Sequence, residues 1–259
     1  MYFKEKDFIK CIPSPKFYHD KRVETLALSN TNPNLKIYIV CPGFIYGCGE
    51  ELFYDYFKIS WIEIPGKLPI IGKGKNTIPT IHIKDLVSLI RRVIETKPKN
   101  NYIFVDHTKN RQLSNIIKKI SKGVGNGLIE NLDVDKDAKL KEKILYYDEL
   151  SIDIKVKPSK IFNDERRDDE DDEAFEKRKF QWHCEFGIPE NIEKLRQEFN
   201  QYRGMHNLKI LITGPSGSGK TYLSEKLSKF FNIPHFKIND IIEWGKTFKD
   251  ELGEEIKQK

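Results

Sequence analysis

The sequence lacks several features that would assign a protein to a class at once. Its 259 residues contain only four cysteines, and no two of them have the C-x-x-C spacing of a zinc cluster. Such sparse, unpatterned cysteine is typical of a reduced intracellular compartment. No apolar run approaches the roughly 18 residues that span a bilayer, and the first residues are too charged for a secretory signal. We therefore expect a cytoplasmic protein that does not use a membrane.

The charge pattern lacks the clustered basic stripe of a nucleic-acid-binding protein. The 45 basic and 39 acidic side chains leave a net charge of +6, and the lysines are scattered singly through the chain. The run DERRDDEDDE at 164–173 cannot bury itself. We predict a solvated insert over 163–179, because carboxylate runs of this kind are usually solvated and seldom form a metal cluster.

One glycine-rich segment carries a chemical signal. The sequence GPSGSGKT at 214–221 matches the phosphate-loop pattern, with an apolar run before it and an amphipathic run after it. Glycines let the backbone approach a polyphosphate, and the loop N–H groups form an anion site at the start of a helix. The alternative is a Gly/Ser-rich linker. The predicted nucleotide-binding residues are Gly214, Pro215, Ser216, Gly217, Ser218, Gly219, Lys220 and Thr221.

The predicted ligand of this loop is ATP with Mg²⁺. Lys220 is expected to steer the β- and γ-phosphates, and the Thr221 hydroxyl is expected to ligate the metal. The apolar run at 208–212 predicts a strand covered on both faces, and a second strand is expected around 235–238. The helix after the loop is expected to bury a stripe formed by Leu223, Leu227, Phe230 and Phe231.

The rest of the chain alternates predicted strands and helices. Strands are expected at 35–40, 77–83 and 101–105, and helices at 22–29, from 84 to 94, at 113–120 and at 192–202. This alternation predicts α/β layers with a largely parallel sheet. The aromatic residues between 53 and 61 are interpreted as core packing. The predicted domain bounds are 1–162, the insert 163–179, a closing segment 180–203, and 204–259.

Two parts of the chain resemble known families. The sequences VCPGFIYGCG at 40–49, GKG at 72–74 and IHIKD at 81–85 resemble the later half of extended short-chain dehydrogenases, the NAD-dependent epimerase and dehydratase superfamily. Followed by a phosphate loop, this half resembles an adenylate kinase of motile cilia and flagella, with FKISW at 57–61 and NTIPTIH at 76–82 as specific likenesses. The resemblance implies an epimerase-like Rossmann fold followed by a truncated nucleoside monophosphate kinase unit.

The sequence lacks the residues with which the dehydrogenase family binds its cofactor and transfers protons. No segment matches the glycine fingerprint that binds a dinucleotide. The family also uses a Tyr-x-x-x-Lys pair, but here Tyr18 is followed four residues later by Arg22, and Lys21 is preceded by Phe17. We therefore expect no working pair and no NAD. An NAD-dependent epimerase or dehydrogenase stays a distant alternative.

The kinase chemistry implied by the resemblance is also incomplete. Adenylate kinases transfer phosphate from ATP to AMP and clamp the phosphoryl group with several arginines. No arginine follows Arg203, and at 238–240 Asp240 alone matches the family's Thr-Gly-Asp-like turn. We expect these 259 residues alone to be inactive. The second hypothesis is a docking module of a ciliary or axonemal assembly, with protein partners covering exposed core.

Overall fold

A computed structural model describes residues 2–64, 66–107, 112–132, 144–162, 171–173, 175, 179–205, 209–231, 233–248, 254 and 256. The chain divides into two compact units, Met1–Met205 and His206–Lys259. Each unit is described by itself. Most of the predicted acidic insert lies outside the described residues, and its described members at 171–173 are exposed.

The described part of the first unit contains six short strands in three parallel pairs. Strand β1 pairs with β5, β2 with β4, and β3 with β6. In register, Ile39 lies opposite Tyr102, Phe44 opposite Thr80, and Leu68 opposite Ile129. The strands are β1 Ile39–Pro42, β2 Phe44–Tyr46, β3 Leu68–Ile71, β4 Thr80–His82, β5 Tyr102–Val105 and β6 Ile129–Leu132.

Helices lie between the two strands of each pair along the chain, as parallel pairing requires. The helices of the first unit are α1 Tyr18–Leu28, α2 Tyr54–Ile62, α3 Ile83–Thr96, α4 Leu113–Val124, α5 Tyr147–Ser151 and α6 Ile192–Tyr202. Short 3₁₀ turns occur at Glu5–Lys10, Pro15–Phe17, Lys160–Phe162 and Ile188–Glu190. The predicted α/β architecture with parallel pairing is confirmed.

The first unit contains two apolar clusters. The larger joins α2, β3, α4 and α6, and the smaller joins α3, β5 and Phe180. The core interpretation of the aromatic band is confirmed for Phe53, Tyr56 and Phe57, which are 0–1% exposed, whereas Trp61 is 48% exposed. Because α2 has a curved surface with one buried face, an aromatic run along it cannot all point inward.

Several predicted bounds in the first unit were wrong. Helix α1 begins at Tyr18 rather than at 22, and β4 covers only Thr80–His82 of the strand predicted at 77–83. Strand β1 begins at Ile39 rather than at 35, and it includes Pro42. Proline is tolerated there because, in the described residues, β1 pairs only with β5, and the adjacent donor to β5 is the Gly43 N–H, which bonds the Val105 carbonyl oxygen. Helix α4 continues to Val124, past the predicted end. The apolar periodicity of α3 predicts a buried face formed by Leu86, Leu89, Ile90, Val93 and Ile94. In the structure Leu86, Leu89 and Val93 are buried, but Ile90 and Ile94 are exposed.

The second unit corrects three sequence predictions. Its helices are α7 Lys220–Phe231 and α8 Ile238–Gly245. The strands predicted at 208–212 and around 235–238 are not formed: the described residues 209–212 and 235–237 have no strand, and Ile238 begins α8. Leu211 is 88% exposed rather than covered. The predicted stripe on α7 is not buried: Phe230 is 79% exposed and Phe231 46%. A strand needs a paired neighbour, and these two apolar segments face a cavity instead of pairing.

Helix length in the described residues also bears on membranes. None of the described helices combines the length and apolar character needed to cross a bilayer.

A glycine between two strands provides a test of the packing. A Cβ on Gly43 would lie 2.6 Å from the Pro79 carbonyl carbon and 2.8 Å from the Thr80 nitrogen, whereas a Cβ on Gly49 would meet nothing within 4 Å. We expect Gly43→Ala to lower the free energy of unfolding by about 1–3 kcal/mol, because backbone atoms must move apart. Urea denaturation followed by circular dichroism measures this, with Gly49→Ala as the control. Equal stabilities of the two variants would contradict the packing.

Candidate functional site

The predicted phosphate loop forms a compact turn at the start of α7. Residues 214–219 lie before the helix, and Lys220 and Thr221 are its first two residues. Gly217 and Gly219 both have φ +77, a backbone conformation that side chains disfavour. A Cβ on either glycine would meet nothing within 4 Å. The loop therefore needs glycine at these two positions for its backbone conformation rather than for space.

Lys220 closes the loop on itself. Its Nζ donates a hydrogen bond of 2.6 Å to the Pro215 carbonyl oxygen, and the Ser218 N–H donates to the same oxygen at 3.3 Å. The loop is therefore curled and not extended. A positive ammonium group and the N-terminus of a 12-residue helix lie at one place, and both favour an anion. The structure thus brings together the eight residues predicted from the sequence.

The segment that follows α7 is anchored to the same helix. Ser224 Oγ lies 2.7 Å from His235 Nε2, and Lys237 pairs with Glu225 at 3.1 Å. Between this segment and residues 210–212 is a cavity of about 560 Å³, and Lys220 and Thr221 are among its lining residues. This space next to the loop is of the size that ligand pockets have.

A second polar site lies in the first unit at the carboxyl ends of the strands. Tyr46 ends β2, His82 ends β4, and His107 follows β5. All three side chains are buried, and the Tyr46 hydroxyl lies 3.3 Å from His107 Nε2. The carboxyl ends of parallel strands are where open α/β sheets place their ligands. In this protein the closing segment 180–202 supplies the groups that cover them.

Glu198 of α6 is the centre of this polar cluster. Its Oε2 lies 2.9 Å from His82 Nε2, and its Oε1 accepts from His183 Nε2 at 2.7 Å and from Lys84 Nζ at 2.9 Å. The Cys48 N–H donates to Oε2 at 3.4 Å. Burial alone would raise the pKa of Glu198, but the hydrogen bonds from Lys84, His183 and His82 outweigh it and lower the pKa to about 2. The carboxylate is ionised.

His82 is neutral in this arrangement. Burial lowers its pKa, against the opposing effect of Glu198, and the side chain is fully buried. Its Nδ1 accepts the Lys84 N–H at 3.2 Å and so caps α3. Because Nδ1 accepts, the ring proton lies on Nε2 and is donated to the ionised Glu198. One imidazole therefore links the start of α3 to α6.

Asp85 holds the other end of the closing segment. Its Oδ1 and Oδ2 accept the backbone N–H groups of His183 and Cys184, at 2.5 and 3.0 Å. The carboxyl is fully buried, and burial raises its pKa despite these two hydrogen bonds. Trp182, the residue before His183, packs against His107 with ring centroids 5.0 Å apart. Two carboxyl groups thus fix residues 182–198 over the strand ends.

Sequence reasoning did not identify this cluster. His82, Lys84 and Asp85 belong to the sequence IHIKD, which was considered only for its likeness to extended short-chain dehydrogenases. No role was predicted for His183 or Glu198. The partners are 116 residues apart in the case of His82 and Glu198, so no local spacing indicated them. The adjacent His183 and Cys184 in the closing segment were the available signal.

The region where the dehydrogenase pair would lie has other contacts. Tyr18 is the first residue of α1 and is 56% exposed. The Lys21 Nζ donates to the Phe8 carbonyl oxygen at 2.8 Å and lies over the Phe8 ring. Lys21 is thus used to hold the N-terminal segment against α1. The expected absence of NAD stays a prediction.

Comparison with known proteins first defines the fold. No protein-family profile matches the chain. A dTDP-glucose 4,6-dehydratase of Bacillus anthracis, solved with NAD, is similar with a TM-score of 0.50 and 15% identity, over 74% of this chain and 53% of that one. The dehydratase DesIV of Streptomyces venezuelae, with NAD and TYD bound, gives 0.53 and 12%, over 79% and 56%. The fold is that of extended short-chain dehydrogenases.

The similar curated proteins are adenylate kinases. Adenylate kinase 7 of Mus musculus is 29% identical over 246 residues, which are 93% of this chain and 38% of that protein. Adenylate kinase 7 of Macaca fascicularis is 33% identical over 213 residues, which are 79% and 36%. The chain therefore spans less than two fifths of the length of these relatives. The resemblances to an epimerase-like fold and to an adenylate kinase are confirmed, whereas the expected place in cilia and flagella stays a prediction.

Replacing Glu198 tests whether the cluster holds the closing segment. We expect Glu198→Gln to lower the free energy of unfolding of the first unit by about 2–4 kcal/mol, because buried donors lose their charged partner. The control on the same helix is Glu193→Gln, whose exposed pair with Arg196 is expected to contribute less than about 0.5 kcal/mol. Urea denaturation followed by tryptophan fluorescence measures both. A Glu198→Gln variant as stable as the control would contradict this assignment.

Proposed function

We propose that the loop at 214–221 binds the triphosphate of ATP together with Mg²⁺. The observation that carries the proposal is the closed turn in which Lys220 Nζ meets the Pro215 carbonyl oxygen at the N-terminus of α7. In this proposal the backbone N–H groups and Lys220 hold phosphate oxygens, and the Thr221 hydroxyl ligates Mg²⁺. The similarity to adenylate kinase 7 supports a kinase reading of the loop.

The whole protein, on this proposal, is an adenylate kinase that transfers phosphate from ATP to AMP. These 259 residues contribute nucleotide binding but not phosphoryl transfer. The segment from Gly204 onward contains no arginine to neutralise the transferring phosphoryl group. We expect binding without steady turnover. The resemblance to a ciliary member of the adenylate kinases supports a location in a cilium or flagellum.

Calorimetric titration with ATP and Mg²⁺ tests the binding proposal. We expect a saturable one-to-one complex with the wild-type chain, and binding at least about tenfold weaker in Lys220→Ala, since a hydrogen bond to a charged group contributes about 1.5–3 kcal/mol. The control is Lys226→Ala on the same helix, because Lys226 lies over the Tyr222 ring and not in the loop. Equal affinities of Lys220→Ala and the control would reject the site.

A second candidate function is docking within a ciliary or axonemal assembly. The observation that favours it is the exposed apolar surface of the second unit: Leu211 is 88% exposed, Phe236 72% and Ile238 75%. Exposed apolar groups in this number mark an interaction site more often than a free surface. The proposed partner is a protein with an apolar face, since no stripe of one charge accompanies these residues.

Self-association of the isolated chain tests the docking proposal. We expect the wild type to form larger species as its concentration rises, because association buries the exposed apolar side chains. We also expect it to enhance the fluorescence of an apolar dye that binds to such a surface. The double variant Leu211→Ser with Phe236→Ser is expected to reduce both effects. Ile12→Ser is the control, because Ile12 is 94% exposed in the first unit. A wild-type chain that stays monomeric by light scattering and does not increase the fluorescence of the dye would contradict the proposal.

A further inference from the structure

Three metal-ligating side chains, of Cys48, His82 and His183, lie around the carboxylate of Glu198 in the first unit. The ligand atoms of Cys48, His82 and Glu198 lie within 4.8 Å of one another, and His183 Nε2 lies 2.7 Å from Glu198 Oε1. We propose that Cys48, His82, His183 and Glu198 bind one divalent transition-metal ion, with zinc as the expected ion. This site is separate from the phosphate loop and from the Mg²⁺ proposed there.

The donor set is the one that zinc prefers. Zinc takes thiolate sulfur, imidazole nitrogen and carboxylate oxygen in tetrahedral sites, at about 2.3 Å from sulfur and about 2.0–2.2 Å from nitrogen or oxygen. Those bond lengths place neighbouring ligand atoms about 3.3–3.7 Å apart. His82 Nε2 and Glu198 Oε2 are 2.9 Å apart, so the pair needs to open by only a few tenths of an ångström. Cys48 and His183 belong to two separate groups that share His82, so these two side chains must move toward each other to complete the set.

The proton positions of the cluster mark where the ion would lie. His82 Nε2 and His183 Nε2 both lie on the carboxylate of Glu198, at 2.9 and 2.7 Å. A cation bound to those two nitrogens would replace their protons. In each imidazole the proton would then move from Nε2 to Nδ1. The Cys48 thiol would release its proton to solvent. Lys84, whose side chain is 47% exposed, can turn into water when the ion neutralises Glu198.

This exchange has an identifiable cost. A proton on His82 Nδ1 removes the 3.2 Å hydrogen bond from the Lys84 N–H that caps α3, and the loss of a helix cap is destabilising. The binding energy of a structural zinc site exceeds the loss of one helix cap. The ion would also connect four segments of the chain: the turn after β2, the end of β4, the closing segment and α6. Binding should therefore stabilise the first unit.

The surroundings hold the ligands in place. Asp85 accepts the N–H groups of His183 and Cys184 and so fixes the segment that carries one ligand. A Cβ on Gly47 would lie 2.0 Å from His82 Nε2, so a larger residue there would cover the ligating nitrogen. Cys48, the next residue, has a φ of +55, which is uncommon for a residue with a side chain and is often found at functional sites.

Two cysteines compete for the sulfur position. The ligand atoms of His82, His183 and Cys184 also lie within 4.8 Å of one another. We assign Cys48, because its group includes Glu198, on which both imidazoles converge, and because its own N–H donates to that carboxylate. Cys48 is half-buried and Cys184 is fully buried, so Cys48 also gives an ion a route from solvent.

Cobalt titration of the full chain, after removal of metals with a chelator and without nucleotide, tests the site. We expect one equivalent of Co²⁺ to give the thiolate-to-cobalt charge-transfer band and the intense visible bands of a tetrahedral site, and one equivalent of Zn²⁺ to abolish them. Zn²⁺ should also raise the melting temperature. The acidic run at 164–173 offers carboxylates without sulfur, so cobalt bound there cannot produce the thiolate band.

Variants identify the ligands. We expect Cys48→Ser to lose the charge-transfer band and His183→Gln to weaken cobalt binding at least about tenfold, as loss of a ligand does in such sites. Cys11→Ser, at an exposed cysteine, is the control and should bind as the wild type does. Wild-type protein without the band would overturn the proposal. So would a band that persists in Cys48→Ser or is lost in Cys184→Ser instead; circular dichroism confirms that each variant is folded.

Discussion

The interaction on which the first unit depends is the buried ionised carboxylate of Glu198. A charge removed from water is costly unless donors surround it, and here His82, His183, Lys84 and the Cys48 N–H all donate to it. These donors belong to different segments of the chain, so the carboxylate can be satisfied only when α6 covers the strand ends. That requirement couples the closing segment to the parallel strands.

The same requirement determines what lies at the carboxyl ends of the strands. In the extended short-chain dehydrogenase fold the carboxyl ends of the strands form the usual ligand site. Here Tyr46, His82 and His107 at those ends are buried beneath Trp182 and the rest of the closing segment. The region is occupied by protein groups with matched hydrogen bonds. This arrangement is consistent with the docking role proposed above, and the nucleotide binding proposed for this chain involves only the loop of the second unit.

Sequence reasoning succeeded where local patterns determine the structure. The helix at 192–202 was predicted with its observed bounds, and Tyr56 and Phe57 of α2 pack in the core as expected because they lie on the buried face of that helix. The phosphate loop was found because its glycines and Lys220 lie within eight residues. The Glu198 cluster could not be found in this way, since its partners meet only through the fold. The strands near 210 and 236 failed because strand formation depends on a neighbour to pair with.

The central claim is that Glu198 and His82 stabilise the fold by acting on each other across 116 residues of chain. A double-mutant cycle with His82→Gln, Glu198→Gln and the double variant, measured by urea denaturation of metal-free protein, tests it most directly. The account predicts a coupling free energy of about 1–3 kcal/mol, as found for buried residues in contact. Effects that add to within about 0.3 kcal/mol would show that the two side chains contribute independently, and would contradict the account.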